Sequence, residues 1–103
     1  MLKHILYVGL NDKDSKMQEI SIIDAYKIVQ NILIGVGYDG GNIQESTGFY
    51  RHESGEVVIE KSLRVELCFA DDKKTSEAIK QLKIILNQES IILERDSKDS
   101  FLV

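Results

Sequence analysis

The chain has 103 residues, of which 43% are hydrophobic and 29% are charged, with a formal net charge of -4. A chain of this length and composition forms one globular domain around a single hydrophobic core. The acidic balance and the lack of a basic run argue against a nucleic-acid binder, because such proteins cluster Lys and Arg against phosphates. No apolar stretch reaches the roughly 20 residues that a membrane-spanning helix needs, so no membrane association is expected.

The cysteine content and the N-terminal segment predict a cytoplasmic protein. Cys68 is the only cysteine, so no internal disulfide forms, which fits a reducing compartment. Residues 1–5 lead directly into a strand without the cleavage pattern of a signal peptide. We expect Cys68 to be a small buried strand residue and His4 to be exposed at the start of the first strand.

The first third of the chain predicts a strand followed by a helix. Residues 5–10 are apolar on both faces, which is typical of a central strand. Residues 11–19 are polar and form a loop. Ser21 and Asp24 then resemble a capping box at the start of a helix that ends near Gly35 or Gly37. The apolar stripe of this helix consists of Ala25, Ile28, Val29, Ile32 and Leu33.

Residues 40–70 predict one long β-hairpin. Alternating apolar residues mark its second strand, and the loop at residues 53–55 ends in a glycine that adopts the left-handed conformation of a bulge turn. A continuous hairpin would extend beyond any helix packed on it, and its tip would then contact a protein partner or a neighbouring subunit. The alternative is a break at residues 61–62. The loop predicts four cross-strand pairs: Phe49 with Ile59, Ile43 with Val65, Gln44 with Arg64, and Ser46 with Ser62.

The last third predicts a second helix and a short strand. Asp71 and Asp72 cap a helix that continues to about Asn87, and residues 91–95 form the last strand. The apolar stripe of the helix consists of Ala78, Ile79, Leu82, Ile85 and Leu86. Residues 97–103 form a C-terminal tail whose apolar end, Phe101–Val103, docks on the body, docks on another subunit or frays.

The predicted order of elements is βαββαβ over a single domain of residues 1–96. This order is typical of the α+β ferredoxin-like plait, in which two helices cover one face of a four-stranded antiparallel sheet. The first and third strands are then central. The helix-free face carries either Leu6, Val8 and Leu10 or Ile5 and Tyr7. Since water on these residues is unfavourable, we expect a homo-oligomer to cover this face.

Two segments of the hairpin resemble the PII-type signalling proteins. Residues 43–51 (Ile-Gln-Glu-Ser-Thr-Gly-Phe-Tyr-Arg) are similar to the second strand of that family, where an apolar residue, a glutamate and a Gly-Phe pair recur at this spacing. Residues 63–67, followed by residues 70–72, are similar to its third strand and the start of its second helix. The resemblance extends over residues 20–86 in the order of the elements.

The resemblance implies a trimer with inward-facing sheets and a ligand-responsive arm between the second and third strands. This chain departs from the family in two places. The arm is reduced to a tight turn at residues 53–55, and residues 87–90 replace the glycine-rich nucleotide loop expected after the second helix. ATP binding in the PII manner is therefore not expected, and no cofactor is predicted. A function like that of related trimeric plaits, which sense metals or small anions, remains possible under this resemblance.

One candidate site is a metal site at the tip of the hairpin. His52, Glu53 and Glu56 are predicted to lie together there and offer ligands for a divalent metal, completed by a neighbouring subunit. The alternative is an ordinary charged turn, because one histidine and two glutamates do not form a specific zinc spacing.

The second candidate site is a ligand site between subunits. Arg51, Arg64, Glu45 and Tyr50 are its candidate residues, and Arg64 would pair with an anion or polar ligand. Glu45, Arg64 and Glu66 are assigned to one face of the sheet. The alternative is ordinary cross-strand charge pairing. No catalytic constellation is predicted.

The sequence therefore predicts a non-enzymatic, trimeric regulatory or interaction protein of PII-like type. One alternative is an enzyme of the same fold that uses Tyr7, Tyr50 or His52 in a cleft between sheets. The other is an accessory structural protein without a ligand. A base beside Tyr7 or Tyr50 in a deep pocket would indicate the enzyme, and a shallow charged cleft would indicate the sensor.

Overall fold

The computed structural model describes residues 2–97, which form one antiparallel sheet and two helices. The predicted tail contacts of Phe101–Val103 lie outside the described residues. The elements in chain order are β1 (Leu2–Gly9), α1 (Ile22–Gly35), β2 (Asn42–Arg51), β3 (Val57–Cys68), α2 (Asp72–Ile85) and β4 (Ile92–Ser97).

The sheet has the strand order β2–β3–β1–β4, and every neighbouring pair is antiparallel. The prediction of a ferredoxin-like α+β plait is thereby confirmed. β1 and β3 are central because their apolar residues supply most of the sheet's share of the core, whereas β2 and β4 lie at the edges. All six residues of β4 are exposed. Among residues 2–97, no helix is long and apolar enough to cross a bilayer.

The two helices begin at the residues that the sequence indicates. The Ser21 hydroxyl accepts a hydrogen bond from the Asp24 amide at 3.1 Å, and the Asp71 carboxylate accepts one from the Lys74 amide at 2.9 Å. These caps satisfy amide groups that the first helical turns leave unpaired. The stripe of α1 faces the core as expected. In α2, however, Ile85 is exposed, and the buried Thr75 occupies the first position of the stripe.

The hairpin has the predicted register over its whole length, and all four predicted cross-strand pairs are present. Gly55 has a φ of +90°, and the His52 amide donates to the Glu56 carbonyl at 2.8 Å. A register shifted by one residue would exchange the faces of β3, which would take Leu63 and Val65 out of the core. The strand is continuous through residues 61–62, so the alternative of a break is wrong.

The distal half of the hairpin extends beyond the helices, and the molecule measures 48 Å along its longest axis against 24 and 21 Å along the others. We call residues 49–59 the hairpin tip. On the helix-side face of the tip, Phe49 and Ile59 are 82% and 71% exposed, and Val57 is also exposed. Large apolar side chains that cross-strand pairing places side by side form a contact surface that water covers unfavourably.

The helix-free face carries Ile5 and Tyr7, while Leu6, Val8 and Leu10 are buried under the helices. Of the two sets of residues that the sequence left open for the helix-free face, the structure therefore has the set of Ile5 and Tyr7. Charged groups from β1 and β3 lie beside Ile5 and Tyr7. Lys3 Nζ and Arg64 Nη1 contact the two oxygens of the Glu66 carboxylate at 3.0 and 2.9 Å. The helix-free face therefore carries both apolar and charged side chains.

Two predictions of burial are wrong, and both concern strand residues near the start of α2. Cys68 is exposed, because it lies on the helix-free face opposite Lys3, where no helix covers it. His4 is fully buried, because the first turn of α2 covers the beginning of β1. Alternation in β3 places Cys68 on the same face as Arg64 and Glu66, so its exposure follows the strand pattern. The contact that buries His4 is not local in sequence, and period-two alternation alone does not report it.

His4 belongs to a hydrogen-bonded chain that joins β1 to α2 and to the loop after α1. Its Nε2 lies 3.0 Å from an oxygen of Asp72, and its Nδ1 lies 2.6 Å from the Thr75 hydroxyl. The Thr75 hydroxyl lies a further 2.6 Å from the Tyr38 hydroxyl. Because a carboxylate only accepts hydrogen bonds, Nε2 carries the hydrogen towards Asp72. In the neutral ring Nδ1 then accepts from Thr75.

Replacing Thr75 with valine is expected to lower the free energy of unfolding by about 1–3 kcal/mol, since it leaves a buried imidazole nitrogen without a partner while keeping the side-chain shape. Urea denaturation measures this change. The control is Thr47→Val on the exposed edge strand β2, for which a change within about 0.5 kcal/mol is expected. Equal effects of the two substitutions would show that the buried chain adds nothing specific.

Candidate functional site

The helix-free face contains a cleft between the hairpin, the end of β1 and the start of β4, with a volume of about 380 Å³. A cavity of this size is within the usual range for small-molecule sites. We call it the sheet cleft. Its lining residues come from all four strands: Tyr7, Gly9, Ser46, Thr47, Gly48, Phe49, Tyr50, Glu60, Ser62 and Ile92.

Glu60 is the acidic group of the sheet cleft, and two features of β1 fix its carboxylate. The backbone amide of Asn11 donates to Glu60 Oε2 at 2.9 Å. A methyl group placed on Gly9 would lie 2.7 Å from the carboxylate carbon and from each of its oxygens. The carboxylate therefore lies directly over the backbone of Gly9, which only a residue without a side chain permits.

The peptide of Asn11 is in turn oriented by the end of α2. The nearly buried side chain of Gln88 donates to the Asn11 carbonyl at 2.7 Å, and the Lys13 amide donates to the Asn87 carbonyl at 3.0 Å. The Leu10 amide also donates to the Lys61 carbonyl at 3.0 Å. The carboxylate of Glu60 is thus held by a chain of contacts that begins in a buried part of the fold.

Two tyrosines from different strands line the same cleft. Tyr7 lies on β1, where Arg64 pairs with it across the sheet. Tyr50 is paired with Val58 in the hairpin, and its ring packs edge-on against His52 at a centroid distance of 5.2 Å. The cleft therefore combines two aromatic rings with one fixed carboxylate, an arrangement that suits a flat or cationic group.

Arg64 is engaged within the sheet. Its pKa is raised, first by a hydrogen bond with the Tyr7 side chain and then by one with Glu66. The pKa of Glu66 is lowered by Lys3 and then by Arg64. These contacts keep the guanidinium charged and direct it towards Tyr7. Arg64 thus lies beside a residue of the sheet cleft, Tyr7, and its role as a ligand-binding group stays a prediction.

The residues predicted to bind a ligand do not lie together. Tyr50 and Arg64 lie on the helix-free face, whereas Glu45 and Arg51 pair with Leu63 and Val57 on the opposite face. The assignment of Glu45 to the face of Arg64 and Glu66 is therefore wrong, because adjacent strand residues alternate between faces. Glu45 instead lies 3.7 Å from Lys61 in an exposed ion pair.

The predicted metal ligands His52, Glu53 and Glu56 lie at the hairpin turn. Within the described part of the chain, no group of three or more His, Cys, Asp and Glu side chains is arranged to hold a metal ion. The prediction included ligands from a neighbouring subunit and stays a prediction.

A larger cavity of about 490 Å³ lies at the other end of β2, around the loop at residues 37–41. Its lysine, Lys74, already donates to the Gly37 carbonyl at 3.2 Å and lies over the Tyr38 ring. Cys68 and Glu66 also line it, and Glu66 is engaged with Lys3. Asp39 also lines this cavity, on the exposed loop after α1, and no described contact fixes its carboxylate. The sheet cleft is the better candidate because its carboxylate, Glu60, is held in place beside two tyrosines.

Sequence reasoning identified Tyr7 and Tyr50 but did not identify Glu60, Gly9, Asn11 or Gln88. A signal for Glu60 was present, because the predicted register sets it opposite Gly48 on the helix-free face. Glycine inside a strand often marks a close approach by another group. Gly9 and Gly48 both lie beside Glu60.

No protein-family model and no curated protein matches this sequence. Solved structures do share its fold. A phage SAM lyase in complex with S-methyl-5'-thioadenosine is 25% identical, with a TM-score of 0.70, over 92% of this chain and 79% of that one. The periplasmic divalent cation tolerance protein CutA from Archaeoglobus fulgidus is 16% identical, with a TM-score of 0.61, over 97% of this chain and 87% of that one. The GlnK–ATP complex of B. subtilis is 12% identical, with a TM-score of 0.55, over 93% and 84%.

The predicted resemblance to PII-type proteins is confirmed at the level of fold, since CutA and GlnK have the same architecture. The likeness to the phage SAM lyase adds an enzyme to these relatives in fold, which the sequence prediction did not name. The carboxylate of Glu60 lies in the same cleft as Tyr7 and Tyr50.

Proposed function

We propose that this chain is an S-adenosylmethionine (SAM) lyase that binds SAM in the sheet cleft and releases S-methyl-5'-thioadenosine. The observation that carries the proposal is the fixed carboxylate of Glu60 beside Tyr7 and Tyr50 in one cleft. It occurs in a chain that is 25% identical to a SAM lyase bound to S-methyl-5'-thioadenosine.

The chemistry of the cleft suits this ligand. SAM carries a positive sulfonium and a flat adenine, and aromatic rings attract both. A carboxylate such as Glu60 adds Coulombic attraction for a cation. S-methyl-5'-thioadenosine is a neutral thioether and lacks that attraction. The cleft therefore favours the charged substrate over the neutral product, and this difference promotes product release.

The reaction breaks the bond between the sulfonium and the γ-carbon of the methionyl group. The bonding electron pair goes to sulfur, which becomes the neutral thioether of S-methyl-5'-thioadenosine. The γ-carbon is completed in one of two ways. The carboxylate of the same fragment attacks it and forms the C–O bond of a lactone, or a β-proton is lost to water or to the Glu60 carboxylate and a C=C bond forms. No redox partner is needed, because both electrons stay with the sulfur.

The test is to incubate the purified chain with SAM and to quantify S-methyl-5'-thioadenosine by liquid chromatography and mass spectrometry. We expect its formation above the rate of spontaneous SAM breakdown, measured beside it with heat-denatured protein. The mass of the four-carbon product then distinguishes ring closure, which gives a lactone, from proton loss. A rate equal to the spontaneous one would contradict the lyase proposal.

The second candidate is the non-enzymatic regulatory protein of PII-like type that the sequence predicts. The exposed Phe49 and Ile59 of the hairpin tip favour it, because they offer a protein partner an apolar contact on the helix-side face of the tip. This candidate predicts that SAM or S-methyl-5'-thioadenosine binds without turnover, or that neither binds. The same incubation and a binding titration distinguish it from the lyase.

We also infer that the chain forms a homo-oligomer, with a trimer favoured, in the cytoplasm. The exposed apolar tip and the mixed helix-free face with Ile5 and Tyr7 support self-association. The exposed thiol of Cys68 suits a reducing compartment. Native mass spectrometry is expected to give a trimer, and Phe49→Asp is expected to shift the population towards monomer. A monomer at micromolar concentration would contradict this inference.

A further inference from the structure

A second cavity, of about 340 Å³, adjoins the sheet cleft. The two share Tyr50 and Glu60 as lining residues, so these side chains form the boundary between them. We call the second one the loop cavity, because its other walls come from the loop after β1 and from residues 88–90 after α2. A ligand longer than one cavity would extend past Tyr50 and Glu60 into the other.

The loop cavity presents charges of both signs. Lys13 and Lys16 contribute ammonium groups, while Glu60 and Glu89 contribute carboxylates. Asp12 also lines the cavity, but its carboxylate accepts hydrogen bonds from the Asn87 side chain at 2.8 Å and from the Ser15 amide at 3.0 Å. These bonds hold the loop together, so the carboxylate is already engaged. A lining of this kind matches a ligand group that carries one positive and one negative charge.

We propose that the loop cavity binds the α-amino-acid end of SAM. This inference rests on the proposed function. The ligand carboxylate faces Lys13 and Lys16, the ammonium faces Glu89, and the adenosyl group occupies the sheet cleft, with the sulfonium beside Glu60 at the boundary. An α-amino acid is a zwitterion, so it is complementary to a cavity with both signs of charge.

The loop that carries the two lysines is held in place on both sides. The Asp12 amide donates to the Met17 carbonyl at 2.8 Å, and the Lys16 amide donates to the Asp12 carbonyl at 2.9 Å. At its other side the loop is joined to the end of α2 through Lys13 and Asn87. The lysines are therefore presented from an ordered turn, which lowers the entropy lost when a ligand binds.

SAM and S-methyl-5'-thioadenosine should respond differently to changes in the loop cavity. S-methyl-5'-thioadenosine has no amino-acid group, so its binding does not depend on this cavity. Removing the lysine charges is therefore expected to weaken SAM binding and to leave the binding of S-methyl-5'-thioadenosine unchanged. A purely structural role of the lysines would change both equally.

The test uses the double variant Lys13→Met, Lys16→Met, which keeps the aliphatic stems and removes the charges. The matched control is Lys80→Met, Lys83→Met on the exposed side of α2. We expect the KM for SAM to rise roughly five- to tenfold in the first variant, as two solvent-accessible ion pairs allow. The Kd for S-methyl-5'-thioadenosine from calorimetry is expected to stay within about twofold, and the control is expected to change neither value.

An unchanged KM for SAM would overturn the subsite, as would an equal loss of affinity for both molecules. These results differ from a failure of the proposed function, in which the unmodified chain neither converts SAM nor binds S-methyl-5'-thioadenosine. That last result would overturn both proposals together. Raising the ionic strength supplies a second readout, because it is expected to raise the KM for SAM less in the double variant than in the unmodified chain.

Discussion

Replacing Glu60 with glutamine is expected to lower kcat/KM for SAM cleavage by about 10- to 100-fold, the usual loss when a hydrogen-bonded charge at a binding site is removed. Glutamine keeps the length and an acceptor for the Asn11 amide, so the fold is preserved. It removes the negative charge that attracts the cationic substrate. Steady-state kinetics with quantified S-methyl-5'-thioadenosine measures the effect.

The control for this substitution is Glu45→Gln. Glu45 lies on the opposite face of the same hairpin, is half-exposed and forms only a long ion pair with Lys61 at 3.7 Å. Its replacement is expected to change kcat/KM by less than about twofold, because exposed ion pairs contribute little. If both substitutions had the same small effect, Glu60 would not contact the substrate.

Replacing Gly9 with alanine is expected to lower kcat/KM by about tenfold or more without unfolding the protein. The new methyl group would lie 2.7 Å from the Glu60 carboxylate, so this group must move away from its place above β1. A carboxylate at the end of a flexible side chain moves easily, and the backbone conformation of Gly9 suits alanine. Kinetics and a thermal melt, measured together, separate displacement from unfolding.

Two variants make the Gly9 result interpretable. Gly35→Ala is the control, because a methyl group there meets no atom within 4 Å. The double variant Gly9→Ala, Glu60→Asp shortens the acidic side chain and is expected to restore part of the lost rate. Full activity of Gly9→Ala at an unchanged melting temperature would show that the position of the carboxylate over β1 is irrelevant to the reaction.

The fold was predictable from the sequence where a local pattern and a burial requirement agree. The three-residue loop ending in Gly55 set the register of the hairpin, since a slip of one residue would expose Leu63 and Val65. The starts of the helices were predictable from Ser21 and Asp71, because each of these side chains accepts a hydrogen bond from a backbone amide three residues later.

The candidate site was predictable only in part. Tyr7 and Tyr50 were identified as candidate residues of a cleft between sheets. The role of Glu60 depends on contacts with Gly9 and Asn11, about 50 residues earlier in the chain, which no periodicity reports. His4 was placed wrongly for a similar reason, because its burial depends on Asp72 and Thr75 at the far end of the core.

The error at Glu45 had a different origin. The predicted register already paired Gln44 with Arg64, so Glu45 had to point to the other face. Alternation along β2 therefore places Glu45 opposite Leu63, on the face that the helices cover. The same rule places Arg51 away from Tyr50, and it explains why the predicted ligand residues divide between two faces.

The most direct test of the account is a nuclear magnetic resonance titration of the ¹⁵N-labelled chain with S-methyl-5'-thioadenosine, which the proposed reaction releases and does not consume. The account predicts that the largest amide shifts occur at Gly9, Ser46, Gly48 and Ser62, which line the sheet cleft. Shifts centred on residues 37–41 and Lys74, at the other end of β2, would contradict it. So would a spectrum that does not change at millimolar ligand.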